Sequence, residues 1–255
     1  MSGSELQKIL SAWPYDPDQN VRIVQDHDGR QLLQVRLPMG IEQYEMDGRP
    51  DGLRPNGSES ALDYHRERLG EARARGAEGS FKLINEECAE LFSEGVLYYY
   101  RYLHLFHIQD WTRTERDTRR NIGLFDFVHR YAEQDEDRDY LEQWRPYIIR
   151  FNRIASAMME VEGHRQNQAL DIIREAIDTI ETLDAVDNPT FDYERERSLS
   201  TLHQMAHELE ENRPISDAER IEKELQQAIA AEQYERAAEL RDQLQILSGA
   251  GSHAG

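Results

Sequence analysis

The feature that most constrains this chain is a helical hydrophobic period that runs from Ala61 almost to the C-terminus. Over this length the sequence has few helix breakers and lacks the alternation of apolar and polar residues that is typical of strands. One buried helical face is indicated by apolar residues at steps of three, four or seven, namely Ile84, Cys88, Leu91, Phe92, Tyr99, Leu103 and Phe106. The sequence therefore predicts a mainly α-helical fold that is centred on this segment.

A small antiparallel sheet is predicted ahead of the helices. Residues 21–24 and 32–37 are rich in β-branched and aliphatic residues, and they flank Asp28-Gly29, a dipeptide suited to the positive φ angles of a tight hairpin. A third run, residues 41–46, follows a Pro-Met-Gly turn signal. Because three short strands are only marginally stable alone, this β-meander must pack on the helices.

Two apolar stripes joined by Gly163 predict an antiparallel helical hairpin. The first consists of Leu141, Trp144, Ile148, Phe151, Ala155 and Met158, and the second of Ala169, Ile173, Ala176, Ile180 and Leu183. Pro146 lies inside the first stripe, so the helix either starts there or is kinked. The second stripe is similar to the second helix of a tetratricopeptide repeat, but the landmarks of the first helix and the repeat period of about 34 residues are missing. We expect helical hairpins stacked as a bundle or a TPR-like array.

Turn and proline signals divide the chain into four parts. Residues 1–60 are expected to form a loose lead-in and the β-meander, and residues 61–213 a helical body on which the meander packs. A boundary at Pro214 precedes a helical hairpin over residues 214–248, whose first helix begins with a capping box of Ser216 and Glu219. Residues 249–255 are expected to be a disordered tail.

The C-terminal hairpin is predicted from two further apolar stripes. Ile221, Leu225, Ala228 and Ile229 form the first, and Ala237, Leu240, Leu244 and Leu247 form the second. Residues 231–234 lie between them and are too few for anything but a turn. The two helices must therefore fold back on each other, and the small side chains of Ala237 and Ala238 allow a close approach.

This segment resembles the UVR motif, a helical hairpin found in the bacterial excision-repair proteins UvrB and UvrC and in McsA-type regulators of Clp proteases. The matching positions are Ala228, Glu232, Tyr234, Glu235, Ala237, Ala238, Leu240, Arg241, Asp242 and Leu247. The match covers about one-seventh of the chain, and the alternative is an unrelated acidic hairpin that shares residue types by composition. Together with the Asp47–Gly52 turn, it also resembles a poorly characterised group of bacterial UVR-containing proteins, which implies no activity.

UVR hairpins associate with other hairpins, so the resemblance implies a protein-binding surface. Tyr234, Leu240 and Leu244 would form its apolar contact, flanked by Ala237 and Ala238, while Glu235, Arg241 and Asp242 would fix the orientation through charge pairs. The implied partner is a second copy of the chain or another protein, such as a component of a Clp-type protease system or a UvrB/UvrC-like protein. The alternative is intramolecular docking on the chain's own helical body.

The charge of the chain disfavours nucleic acids and anionic membranes as partners. Acidic residues outnumber basic ones 50 to 30, which gives a formal charge of −20. A local basic cluster at Arg113, Arg116, Arg119 and Arg120 is interleaved with acids, so we expect a solvated helix face with i, i+4 ion pairs.

The cysteine content and the N-terminal sequence favour a cytoplasmic protein. Cys88 is the single cysteine, which excludes an intramolecular disulfide and fits a reducing compartment, and its place on an apolar helix face predicts a buried core residue. The first 13 residues lack the pattern of a secretory signal. The most apolar stretch, residues 96–108, contains charged and histidine residues and is too short to span a membrane.

No catalytic or cofactor motif is recognisable, so we expect a non-enzymatic interaction or adaptor protein without a metal or cofactor. The pairs His104/His107 and His203/His207 have a spacing that can share a metal, but no Glu-x-x-His motif accompanies them. Two alternatives stay open. One is an accessory factor of UvrB/UvrC-type excision repair, and the other is an enzyme with a site among residues 84–131.

Overall fold

The computed structural model describes the backbone of residues 3–212 and 217–250, and the side chains of residues 7–212 and 220–245. The chain begins with a helix, α1 Gly3–Ala12, which is followed by three strands, β1 Val21–Gln25, β2 Gln31–Leu37 and β3 Gly40–Glu45. The helices of the body are α2 Ala61–Ala74, α3 Asn85–His107, α4 Trp111–Tyr131, α5 Asp135–Tyr140, α6 Arg145–Glu162, α7 Gln166–Glu181 and α8 Pro189–Asn212. The described chain ends in α9 Asp217–Ala230 and α10 Tyr234–Ala250. The predicted mainly helical fold with a small N-terminal sheet is confirmed.

The contacts divide the chain into two compact units, Met1–Glu208 and Leu209–Gly255. This division falls inside α8, a few residues before the boundary that the sequence predicts at Pro214. Pro214 and the capping box at Ser216 lie outside the described residues. Helix α10 continues to Ala250, two residues into the expected disordered tail, and residues 251–255 are also outside the described part.

The sheet has the order β1-β2-β3 and is antiparallel throughout. Gly29, in the predicted Asp-Gly turn, has a φ of +79°, which glycine adopts without steric cost. One face of the sheet is apolar, and its buried Leu33 and Val35 pack in one cluster with Leu105 of α3. The meander therefore packs on the helical body, as its small size requires.

The expectation of a loose lead-in is wrong for residues 3–12, which form α1. In this segment Leu6, Ile9 and Leu10 recur at helical steps of three and four. Pro14 and Pro17 end this pattern, because proline cannot continue a helix. The chain from residue 13 to residue 20 has no helix or strand.

The centre of the body is formed by α2, α3 and α4. Cys88 and Leu91 of α3 and Leu124 and Val128 of α4 are fully buried in one cluster. Burial raises the pKa of the Cys88 thiol to about 12, so the thiol stays protonated and behaves as a small core residue. The predicted buried face of α3 is confirmed at Cys88 and Leu91, but it is wrong for Ile84, which precedes the first turn of the helix and is 48% exposed.

The Asp47–Gly52 turn is held by buried charged side chains of α3 and α4. Arg101 donates to the carbonyl oxygens of Glu45 and Gly48 at 2.7 and 2.9 Å and forms a bidentate pair with Asp117 at 2.6 and 2.9 Å. Buried Glu94 accepts from Arg49 at 3.1 Å and from the amides of Ala61 and Leu62, the first residues of α2. These groups satisfy one another, so the turn has a structural explanation.

The basic cluster of α4 is only partly the solvated face that the sequence predicts. Arg119 does pair with Glu115 one helical turn away. Arg120, in contrast, reaches the buried carboxylate of Glu94, and Arg116 donates to the carbonyl oxygen of Met46 at 2.7 Å. The expectation is wrong for these two side chains because their partners lie far away in the sequence.

Helices α6 and α7 form the predicted antiparallel hairpin. Pro146 lies in the first turn of α6, so the helix starts there and is not kinked by this residue. Asn152 of α6 donates to Thr118 of α4 at 3.1 Å, and Ser198 of α8 donates to the carbonyl oxygen of Pro146 at 3.2 Å. The hairpin is thus covered by neighbouring helices, while the likeness to a TPR array stays a prediction.

Candidate functional site

The candidate site is the hairpin of α9 and α10, which coincides with the predicted partner-binding segment. Its interior is a small apolar cluster of Ala228, Ala237 and Leu240, with half-buried Ile221 and Leu225 against it. Because two of the three buried side chains are alanines, the helices approach closely but bury little apolar area. Such a unit has little hydrophobic stabilisation of its own.

The turn between α9 and α10 is closed by two backbone hydrogen bonds. The amide of Glu232 donates to the carbonyl oxygen of Ile229 at 3.0 Å, and that of Gln233 donates to Ala228 at 2.8 Å. Glu232 has a φ of +57°, the left-handed conformation of a Schellman helix end. A glutamate there is strained, since glycine is the residue that adopts this region freely.

The same turn closes two hairpins in the body. Gln109, between α3 and α4, has a φ of +61°, and His164, between α6 and α7, has a φ of +58°. The next amide after each of them donates to a carbonyl oxygen five residues back, Asp110 to Leu105 at 2.9 Å and Arg165 to Glu160 at 2.8 Å. The described chain therefore builds three helical hairpins on one backbone design, and a residue other than glycine stands at the left-handed position each time.

Apolar side chains of the hairpin remain in contact with solvent beside the turn. Tyr234 is 70% exposed at the start of α10, and Ile229 is 48% exposed near the end of α9. Ala238 is also exposed, one position after buried Ala237. Exposed apolar side chains also occur in the body, for example Tyr193 at 60%, so the exposure of Tyr234 and Ile229 shows that they are accessible to another protein and does not by itself mark a binding surface.

The structure divides the eight predicted partner-binding residues into two sets. Ala237 and Leu240 lie in the interior of the hairpin, and Leu244 is half-buried. The exposed set consists of Tyr234, Glu235, Ala238, Arg241 and Asp242. The partner-binding role of all eight stays a prediction. Ile229 was predicted to belong to the apolar stripe of α9, but it lies at the surface. It follows buried Ala228 directly in the sequence, and neighbouring residues of a helix point in different directions, which was the signal for its exposure.

Charges cover most of the remaining surface of the hairpin. Arg236 reaches across to Glu224 at 3.3 Å, and Arg241 pairs with its neighbour Asp242 at 3.1 Å. Residues 217–250 contain eight acidic and four basic side chains. The exposed apolar residues thus lie in a surface of mixed but predominantly negative charge.

The remaining candidates lie in the body. A cavity of about 370 Å³ is lined by Pro17, Asn20, Leu103, His104, Phe106, His107 and Phe151. Burial lowers the pKa of His104, which favours its neutral imidazole. This cavity keeps an enzyme site among residues 84–131 as an alternative prediction. Within the described ranges, no three metal-ligating side chains come together, and no helix is long and apolar enough to cross a membrane.

Comparison with known proteins identifies the C-terminal segment alone. The family model of the UvrB/uvrC motif (UVR) matches residues 218–248, which are the residues of α9 and most of α10. Neither the curated proteins nor the solved structures give a match to the chain. The resemblance that the sequence suggests for this segment is confirmed.

Proposed function

We propose that this chain is a non-enzymatic adaptor whose UVR hairpin docks a partner protein. The observation that carries the proposal is the exposure of Tyr234 and Ile229 on a hairpin that matches the UvrB/uvrC motif. A tyrosine buries a large apolar area on binding and keeps a hydroxyl for a hydrogen bond, so it is frequent at protein interfaces. The helical body would then supply the second recognition surface of the adaptor.

The proposed partner is a protein with a helical, apolar surface of its own. Docking a second hairpin against α9 and α10 would complete a four-helix arrangement and cover side chains that two helices cannot bury. Following the resemblance, candidates are a component of a Clp-type protease system, a UvrB/UvrC-like protein or a second copy of this chain. The excess of acidic residues favours a partner surface that carries positive charge.

The test uses the full chain and a matched pair of tyrosine variants. Tyr234→Ala removes the exposed ring of the hairpin, and Tyr193→Ala removes a ring of α8 that is 60% exposed in the other unit. The tagged proteins are used to capture partners from lysate, and the captured proteins are quantified by mass spectrometry. Because a central tyrosine contributes about 2 kcal/mol, we expect Tyr234→Ala to weaken capture by about 30-fold.

The control decides the interpretation. Tyr193→Ala should leave the captured set unchanged, and both variants should match the parent protein in circular dichroism and thermal unfolding. Equal capture by Tyr234→Ala and the parent protein would contradict the proposal. Sedimentation of the purified parent and Tyr234→Ala chains, compared with each other, shows in parallel whether the hairpin itself binds a second copy.

A role in excision repair is a second candidate, because the matched motif is that of UvrB and UvrC. Two measurements distinguish it from a general adaptor role: the identity of the captured partner and the affinity of the chain for DNA. With a formal charge of −20 we expect no tight binding of a fluorescent DNA duplex at moderate salt. Tight binding that weakens steeply with salt would favour direct contact with DNA and overturn the protein-only proposal.

A further inference from the structure

The two edges of the sheet are protected to different degrees. At the β3 edge, the amide of Glu45 is already used, since it donates to the carbonyl oxygen of Pro50 at 2.9 Å. Glu42 and Glu45 add two carboxylates to this edge strand. Covering loops and charges are the devices that keep an edge strand from pairing with another chain.

The β1 edge is less protected, because its one charged side chain, Arg22, is held over the neighbouring strand, where it donates to Gln34 at 2.8 and 3.0 Å. Its flanking hydrogen bonds, Arg36 to Asn20 at 2.7 Å and Asp26 to Arg30 at 2.9 Å, show that the even-numbered residues of this strand bond to β2. The amides and carbonyls of Val21, Ile23 and Gln25 therefore point outward. No backbone partner for them is found among residues 3–212 and 217–250.

We propose that β1 is a dimerisation edge that pairs antiparallel with β1 of a second copy, so that two three-stranded sheets become one of six strands. The two-fold axis passes beside Ile23, which makes Ile23 of the two copies a hydrogen-bonded pair. Val21 of each copy then faces Gln25 of the other. All outward amides and carbonyls of the five-residue strand find partners in this register.

The side chains of β1 fit this pairing. Ile23 is 40% exposed on the same face as buried Leu33 and Val35, so the second Ile23 extends the apolar face across the axis. Arg22, the single charged residue of β1, faces Val24 of the other copy, and its guanidinium lies 3.9 Å from the ring centre of Trp13. Like charges therefore do not meet across the axis, and a second copy of β1 is complementary to this edge in both backbone register and charge.

The main test is sedimentation of the full chain over a range of concentrations. Ile23→Pro removes an amide that makes no bond inside the sheet, which is the edge position where proline is tolerated. It deletes two hydrogen bonds of the proposed interface, so we expect the dimer dissociation constant to rise about 30-fold. Ile23→Lys places two like charges on the axis and should have the same effect without any change of backbone.

Variants of the hairpin separate this interface from the proposed docking function. Tyr234→Ala should leave the β1 dimer intact, whereas Ile23→Pro should leave partner capture through the hairpin intact. A chain that stays monomeric at all concentrations, or a dimer that Tyr234→Ala abolishes and Ile23→Pro does not, overturns the proposal.

A spin label gives the geometry of the dimer directly. Cys88 is buried, so Gln43→Cys on exposed β3 provides one reactive thiol. Five strand spacings separate β3 from its copy in the proposed sheet, which predicts a distance of about 25 Å between the labelled positions. A dimer whose labels are separated by more than about twice this distance would contradict pairing through β1.

Discussion

Two helical hairpins of this chain share one turn and differ in what covers them. In the hairpin of α6 and α7 the second helix buries one face along its whole length, with Ala169, Ile173, Ala176 and Ile180 fully buried. In the hairpin of α9 and α10 the second helix buries Ala237 and Leu240, and Tyr234 at its start is largely exposed. The backbone design is the same, so the difference lies in the neighbours.

This difference separates a structural hairpin from a binding one. Helices α4 and α8 contact the first helix of that hairpin through Asn152 and Ser198. Arg195 of α8 also donates to the last carbonyl oxygens of α7, those of Ile180 and Glu181, at 3.2 and 2.7 Å. The second hairpin ends the described chain, and its buried apolar cluster is limited to a few small or medium side chains. Because an amphipathic helix gains most of its stability from a packed apolar face, the second hairpin gains stability when a partner covers it.

The largest expected effect of a mutation is at the covered hairpin. Ile173→Ala leaves a cavity in a fully buried position and should lower the free energy of unfolding by about 3 kcal/mol. Ile229→Ala, at a half-exposed position of the other hairpin, should lower it by less than about 1 kcal/mol. Urea unfolding followed by circular dichroism measures both, and similar losses for the two variants would remove the contrast between the hairpins.

Ion pairs give a second contrast. Arg150 of α6 and Glu194 of α8 are both buried, and their charged groups lie 3.7 Å apart. Two of their atoms, Arg150 Nη1 and Glu194 Oε2, have no hydrogen-bond partner. Burial lowers the pKa of Arg150. Arg150→Met leaves the buried carboxylate with only half-exposed Arg197, 3.7 Å from its other oxygen. We therefore expect a loss of about 3 kcal/mol in unfolding free energy, which Arg150→Met with Glu194→Leu should recover.

The matched pair on the C-terminal hairpin is exposed. Arg236 and Glu224 lie 3.3 Å apart at the surface, and Arg236→Gln should cost less than about 0.5 kcal/mol. The double variant Arg150→Met with Glu194→Leu is the control for the buried pair. If it is as unstable as Arg150→Met alone, the attraction between Arg150 and Glu194 exceeds the free energy lost in burying their charges, which would contradict our account.

The smallest effect concerns the feature that the hairpins share. His164→Gly and Glu232→Gly both relieve a left-handed residue, and the greater freedom of glycine in the unfolded chain offsets part of the gain. We expect each to raise the stability of its hairpin by about 0.5 kcal/mol, as measured by thermal unfolding. A clear difference in sign between the two would show that the turns are not equivalent.

The sequence predicted what local periodicity determines. The step of three and four in α6 and α7, the Asp28-Gly29 turn and the matched UVR positions all express constraints between residues close together in the chain. It did not predict that Arg120 reaches Glu94, because that partner depends on how α3 packs against α4. The apolar period alone also does not tell whether a face meets its own hairpin or another chain, so the partner-binding role of Leu240, which lies in the interior of the hairpin, stays a prediction.

Hydrogen exchange of the two hairpins, in the isolated chain and in the captured assembly, tests the central claim most directly. In the isolated chain we expect amides of residues 220–245 to exchange at least about 100-fold faster than those of residues 169–180. In the assembly the amides of residues 220–245 should slow by about tenfold or more, while those of residues 169–180 stay unchanged. Equal protection of both hairpins in the isolated chain, with no change at residues 220–245 on assembly, would contradict a docking role for the UVR hairpin.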